Sequence, residues 1–188
     1  MMDVYISLLH FPVYDKNRRI VTTAVTNMDI HDIARAARTY DLAGYFLVTP
    51  IREQQAMVQE LIDHWTKGAG GEYNPVRRKA FELLRVVPDF EAVRAEVQRR
   101  GGAIPLTVGT SAGRGPRALS FEALRRRMES DDGSVILTLG TGWGLEKKFF
   151  ESLDEVLEPI DGRSEYNHLS VRSAATVMLD RLRGRRSQ

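Results

Sequence analysis

Gly140, Gly142 and Gly144 alternate along Leu139-Gly-Thr-Gly-Trp-Gly-Leu145, directly behind the apolar run Val135-Ile-Leu-Thr-Leu139. The run reads as a strand buried on both faces. Glycines at its end let the backbone turn sharply and approach a ligand closely. Glu146-Lys-Lys-Phe-Phe150 then reads as the start of a short helix. Strand, glycine turn and helix is a common way for a sheet to hold a nucleotide-like ligand at its carboxyl edge. A dinucleotide fold wants that turn after the first strand, with an acidic residue about 20 residues later. Here the turn comes at 140–144 of 188 residues, too late for the rest of that fold. A P-loop needs Gly-Lys-Ser/Thr, which the sequence lacks. The site must therefore be closed by Leu157-Glu-Pro-Ile160 and by a last helix opening at Asn167, His168, Leu169 and Ser170.

The elements that position these residues alternate. Val4 to Leu9 reads as a first buried strand, and 10–22 as a loop, with 20–25 extended. Asn27 to Tyr40 is a helix capped by Asp29, with Asp32 in its first turn and Ile30, Ile33, Ala34 and Ala37 on one face. Arg35 and Arg38 lie off that stripe. Tyr45 to Val48 is a second strand. Pro50 opens a helix with Met57, Val58, Leu61, Ile62 and Trp65 inward. Lys67 to Pro75 is a glycine-rich loop, Lys79 to Leu83 a helical stretch, and Leu84 to Val87 a strand. Asp89 caps a helix reaching Arg100. Ala103 to Gly109 is a strand, followed by a polar turn, Thr110 to Pro116. Ser120 caps a helix. Val156 to Ile160 is a last short strand, Asp161 to Tyr166 a loop, and Asn167 to Arg183 a long helix with Val171, Ala174, Ala175, Met178 and Leu182 inward. Alternation of this kind predicts an α/β fold with a mostly parallel sheet flanked by helices. The whole chain, 1–188, reads as a single domain.

The absence of cysteine excludes disulfides, thiolate metal sites and thiol nucleophiles, and no metal site is expected. No apolar run approaches membrane-spanning length and the N-terminus lacks a signal-peptide pattern, so no membrane partner and a cytoplasmic location are expected. The net charge is only +2, yet arginine and lysine cluster at Arg18-Arg19, Arg77-Arg78-Lys79, Arg99-Arg100, Arg125 to Arg127 and Arg181 to Arg186. Any one cluster reads as a solvated face, but several together point to a polyanion.

Three segments together carry a family resemblance. Leu139-Gly-Thr-Gly-Trp-Gly-Leu145, Pro159-Ile-Asp-Gly162 and Tyr166-Asn-His-Leu-Ser-Val171 follow one another as in the SPOUT class of RNA methyltransferases, of the SpoU and TrmD type. Within it the chain resembles a small bacterial family made of the catalytic domain alone. His31-Asp-Ile-Ala-Arg-Ala-Ala-Arg-Thr39 resembles the SpoU first motif, which ends in an Arg-Thr pair. The sequence departs from the pattern at Gly142, where a glutamate is frequent, and at Asp32 and His168, where asparagine is frequent.

The resemblance implies a C-terminal trefoil knot, S-adenosyl-L-methionine as cofactor, and tRNA or rRNA as substrate, methylated at a ribose 2′-hydroxyl or a base nitrogen. It also implies a homodimer whose active site draws on both subunits. The expected cofactor residues are Thr110, Leu139, Gly140, Thr141, Gly142, Trp143, Gly144, Glu158, Pro159, Ile160, Asn167, His168, Leu169 and Ser170. Trp143 either walls the pocket or packs in the core, and His168 lies in the pocket or on the surface. Glu158 is expected to contribute its main chain, with its carboxylate in water. Arg38 and Asp32 are the catalytic candidates, to stabilise a developing alkoxide and to accept a proton. Arg18, Arg19, Arg35, Tyr73, Asn74, Arg77 and Arg78 are candidates for RNA contact, since aromatic and guanidinium planes stack on unpaired bases. Two rival readings remain: a non-catalytic RNA-binding or assembly protein with the same fold, and an enzyme using another nucleotide on an unknotted sheet.

Overall fold

The structure is a computed structural model that describes residues 1–113, 118–164 and 166–185. The far end of the polar turn expected at 110–116, Glu165 of the expected loop and Arg186 of the basic tail lie outside the described residues.

Six strands form one sheet in which every described pairing is parallel: β1 (Asp3–Leu9), β4 (Gly44–Val48), β5 (Leu84–Val87), β6 (Leu106–Gly109), β7 (Ser134–Gly140) and β8 (Glu155–Val156). Their order is β5-β4-β1-β7-β6-β8. The chain winds outward from β1 to β5, then starts again on the other side. β1 and β7 therefore meet where the winding reverses, which is where open α/β sheets bind ligands. A hairpin, β2 (Val13–Tyr14) with β3 (Ile20–Val21), follows β1 at its carboxyl end.

Alternating side chains of β1 and β7 feed two cores. Val4, Ile6, Leu8, Val135, Leu137 and Leu139 face α1 (Asn27–Thr39), α2 (Arg52–Thr66), α4 (Pro75–Phe81), α6 (Phe121–Ser130) and α8 (Val171–Arg183). Tyr5, Leu9 and Ile136 face α5 (Phe90–Gly101) and α7 (Lys147–Glu151) on the opposite side. β7 is buried along Ser134 to Leu139, as expected of a central parallel strand.

Several boundaries differ from the sequence reading. Thr26, not Asp29, caps α1: its hydroxyl accepts the Asp29 amide and donates to the Asp29 carboxylate at 2.6 Å. The pair is a reciprocal cap three residues apart. Ile51 is the N-cap of α2, so Pro50 precedes the helix, and Met57 is exposed while Val58 and Ile62 are buried. The glycine loop of 67–75 contains a helical turn, α3 (Ala69–Tyr73). Gly70 and Gly71 are buried there, and a Cβ would strike His64 Nε2 at Gly70 and the Trp65 carbonyl at Gly71. Asn74 caps α4 through Arg77 N at 3.0 Å with Pro75 at its first position, which starts that helix earlier than Lys79. The sixth strand begins at Leu106 and not at Ala103, and the last ends at Val156, continuing as a single bridge from Leu157 to Leu119. α8 begins at Val171, because Ser170 caps it while Asn167 Nδ2 donates 3.0 Å to Ala112 O instead of entering the helix.

Among the described residues, no helix is long and apolar enough to cross a membrane, and no cluster of three or more acidic or histidine side chains is arranged to hold a metal.

Candidate active site

The carboxyl end of β7, the loop behind β6 and the hairpin that follows β1 open on one cavity of about 920 Å³. That volume suits a ligand of nucleoside size, since small-molecule sites span roughly 300–1,000 Å³.

Its floor is the glycine turn, and the β2–β3 hairpin holds that turn in place. Trp143 N donates to Tyr14 O at 2.9 Å and Tyr14 N donates to Gly144 O at 3.0 Å. Glu146 N donates to Pro12 O at 3.0 Å, and Thr141 N to Leu9 O at 3.1 Å. The hairpin strand thus runs antiparallel beside 143–146. Gly142 and Gly144 have φ of 58° and 94°, the left-handed region that glycine enters without steric cost. A Cβ on Gly142 would also strike Tyr14 O, so the hairpin can sit this close only above a bare α-carbon.

A partly buried chain of side chains reinforces the turn. His10 Nδ1 lies 3.0 Å from Thr23 Oγ1, Thr23 Oγ1 meets Thr141 Oγ1, and the Thr141 hydroxyl donates to Leu9 O at 3.1 Å. Burial lowers the His10 pKa to about 4, against an upward pull from the Asp29 charge. The imidazole is therefore neutral at pH 7. It links the end of β1, the hairpin and the turn.

The opposite wall is built from two helix N-termini. Asp29, in the first turn of α1, is 6% exposed. Arg172, in the first turn of α8, reaches Asp29 at 3.2 Å and Asp32 at 3.5 Å. Ile160 and Asn167 to Ser170 also line the cavity, and Asn167 is pinned to the 110–113 loop by its bond to Ala112 O.

All the residues expected at the cofactor line this cavity except Glu158 and Pro159. Trp143 lies at the rim with 62% of its surface exposed, not in the core. His168 lines the cavity, is exposed, and meets the Tyr166 ring edge-on at 5.3 Å. Ser170 serves α8 as its cap. The Glu158 carboxylate is not in water: it accepts the Phe121 amide at 2.8 Å. Glu158 N donates to Leu119 O at 2.9 Å, and this pairing sets the side chain beside the first free amide of α6.

The catalytic candidates are placed differently from the cavity lining. Asp32 is half exposed and faces Arg172. Arg38 is exposed in the last turn of α1, about 13 Å along the axis from Asp29, and does not line the cavity. Of the RNA candidates, Arg18 lines the cavity and stacks over Tyr14 at 4.4 Å. Arg19 pairs with Asp15 at the hairpin tip. Arg77 lies 4.8 Å over the Trp65 ring, and both Arg77 and Arg35 act on the charge of His31, which burial already disfavours. Tyr73 is 90% exposed, Asn74 is the cap of α4, and Arg78 pairs with Glu82. Arg77 and Arg35 thus belong to a second surface, around Trp65 and His31, apart from the cavity, and the exposed Tyr73 does not line the cavity either.

Sequence reasoning missed His10, Thr23, Arg172 and the cavity role of Asp29. His10 carried a signal, since it directly follows a central parallel strand. Arg172 carried none, because only the approach of α8 to α1 brings it to two carboxylates.

The cavity also suits S-adenosylmethionine chemically. It offers backbone amides and carbonyls at a glycine turn, apolar walls from Leu139, Leu145, Ile160 and Met178, and the Asp29 carboxylate for a cationic group. A family model described as SAM-dependent RNA methyltransferase matches residues 3–184. A protein of Aquifex aeolicus of uncharacterised role is 38% identical over 96% of this chain and 88% of its own length. A tRNA (guanine-N(1)-)-methyltransferase of Nitratidesulfovibrio vulgaris is 39% identical over 97% of this chain, which spans only 42% of that relative. The crystal structure of TrmJ from Z. mobilis superposes with a TM-score of 0.62 at 14% identity, covering 99% of this chain and 70% of the other, a likeness of fold. With the family model spanning nearly every residue from the first strand to the last helix, the chain belongs to the S-adenosylmethionine-dependent RNA methyltransferases.

Proposed function

We propose that this chain methylates tRNA, with S-adenosylmethionine held in the cavity between the glycine turn and the mouth of α8. The observation that carries the reading is that the hairpin, the glycine turn, Ile160 and Asn167 to Ser170 converge on one cavity at the point where the sheet winding reverses. When bound, the cofactor would supply an electrophilic methyl carbon: the S–C bond would break as the acceptor oxygen or nitrogen gains the methyl, S-adenosylhomocysteine would leave with the bonding pair, and the acceptor's proton would pass to water at the open rim.

Main-chain groups of Gly140, Thr141, Gly142 and Gly144 would hold the cofactor, with Leu139, Ile160, Leu169, Thr110 and Asn167 as further lining. The Asp29 carboxylate, held by Arg172 and Thr26, would offset the positive charge of the sulfonium. Asp32 serves Arg172 from the other side. Positioning of this kind can supply much of the rate enhancement.

Arg38 lies too far along α1 to serve its own cavity, so it serves that of a second copy in a homodimer. A threaded C-terminus is part of the same reading, supported by the Asn167 side chain bonding to Ala112 in the loop behind β6. Arg35, Tyr73 and Arg77 grip the RNA outside the cavity. The name of the Nitratidesulfovibrio relative supports tRNA as the substrate, although this chain spans less than half of that protein.

The test is incorporation of labelled methyl from S-adenosylmethionine into tRNA and rRNA fractions of a strain lacking the gene. Transfer to tRNA alone is expected. Transfer to rRNA alone overturns the substrate, and no transfer to either, with no calorimetric binding of S-adenosylhomocysteine, overturns the reading.

A further inference from the structure

We propose that Trp143, Tyr14 and Arg18 form the seat of the acceptor nucleotide, the target base stacking on the Trp143 indole and its phosphate facing Arg18 and Lys147. The inference rests on the methyltransferase reading of the cavity and names which part of its rim takes the RNA.

Trp143 stands at the tip of the glycine turn. Its backbone is fixed by the bond to Tyr14 O at 2.9 Å, while its ring is 62% exposed. A large exposed aromatic on a rigid turn is a base-stacking platform.

The hairpin beside it is shaped to present a cation. The Asp15 carboxylate accepts from Asn17 N at 2.8 Å and from Arg19 N and Nε at 2.9 Å, and Asp15 N donates to Arg19 O at 2.9 Å. This closes a tight turn in which Arg18 adopts a φ of 62°. A non-glycine residue held there stores strain, a state that clusters at ligand clamps. The turn sets the Arg18 guanidinium 4.4 Å over the Tyr14 ring, and the Tyr14 hydroxyl accepts the Lys147 amide at 3.1 Å. Lys147 Nζ lies 3.7 Å from Glu151 in an exposed pair that a phosphate can displace. Arg18, Lys147, Tyr14 and Trp143 all line the same cavity. Two cations suit a phosphate and would repel the positive sulfur of the cofactor. Their place is therefore the outer, nucleotide side.

The experiment uses Trp65→Phe protein, in which Trp143 is the only tryptophan. With saturating S-adenosylhomocysteine, tRNA is expected to quench its emission. Trp143→Leu and, separately, Arg18→Gln are expected to lower kcat/KM for tRNA about 10- to 100-fold, the range for loss of one stacked base or one phosphate contact. Calorimetric affinity for S-adenosylhomocysteine should change less than about threefold, and Trp143→Tyr should restore the rate to within about fivefold, as stacking tolerates any aromatic ring. Methylation by Trp143→Leu at the parental rate, or a parallel loss of S-adenosylhomocysteine binding, overturns the seat alone. Failure of the parental protein to bind S-adenosylhomocysteine overturns the cavity reading and the seat with it. Should Trp143→Leu not fold, Arg18→Gln and the quench decide the matter.

Discussion

The carbonyl oxygen of Tyr14 lies 2.7 Å from the point where a Cβ would sit on Gly142. Gly142→Ala must therefore push the hairpin away as well as hold a left-handed φ. The backbone conformation alone costs about 1–2 kcal/mol. Affinity for S-adenosylhomocysteine is expected to fall at least tenfold, read by calorimetry, with the urea midpoint lowered as well.

His10 makes stability depend on pH. Its folded pKa, about 4, lies below the ordinary 6.5, so the unfolded chain binds more protons between those values. The contribution is complete above pH 6.5 and is lost as pH falls towards 4. The full difference is on the order of 3 kcal/mol, of which about 2 is lost by pH 5. Urea titrations at pH 7.5 and pH 5 check this: His10→Gln should remove that part of the drop.

Arg172→Met leaves the Asp29 carboxylate, 6% exposed, with only the Thr26 hydroxyl and amide geometry of the cap. Breaking a buried pair costs about 3–5 kcal/mol, but Arg172 is partly exposed, so about 1–2 is expected. Adding Asp29→Asn should recover part of the loss. A double-mutant cycle in urea measures the coupling, and strict additivity would show that the pair is not coupled.

Glu158→Ala removes the acceptor of the Phe121 amide at 2.8 Å. The expected loss is about 1 kcal/mol, comparable to an N-terminal helix cap. Thermal unfolding of Glu158→Ala beside Glu158→Gln checks it, the latter retaining an acceptor and most of the stability.

The strands and the glycine turn were legible because both are local. The apolar run Val135 to Leu139 and the alternating glycines carry their own physics. The cavity lining at 139–144 and 167–170 was legible through the order of segments. Helix starts were less so: Thr26 and Ile51 won over Asp29 and Pro50 because caps depend on the incoming chain direction. The turn at 69–73 was hidden because glycine-rich sequence looks mobile, yet Gly70 and Gly71 are there to let His64 and Trp65 pack closely. The Asp29–Arg172 contact spans 143 residues and leaves no trace in spacing.

The Asn167 to Ala112 bond and the Arg172 bridges come from a segment translated after every strand of the sheet. A nascent chain that has emerged only as far as the glycine turn can pair β1 with β7 and has α1 in place, but lacks the α8 half of the wall facing that turn. Methyl-donor affinity would thus appear at a late stage of synthesis, all at once, and ribosome-stalled intermediates of increasing length would reveal the step.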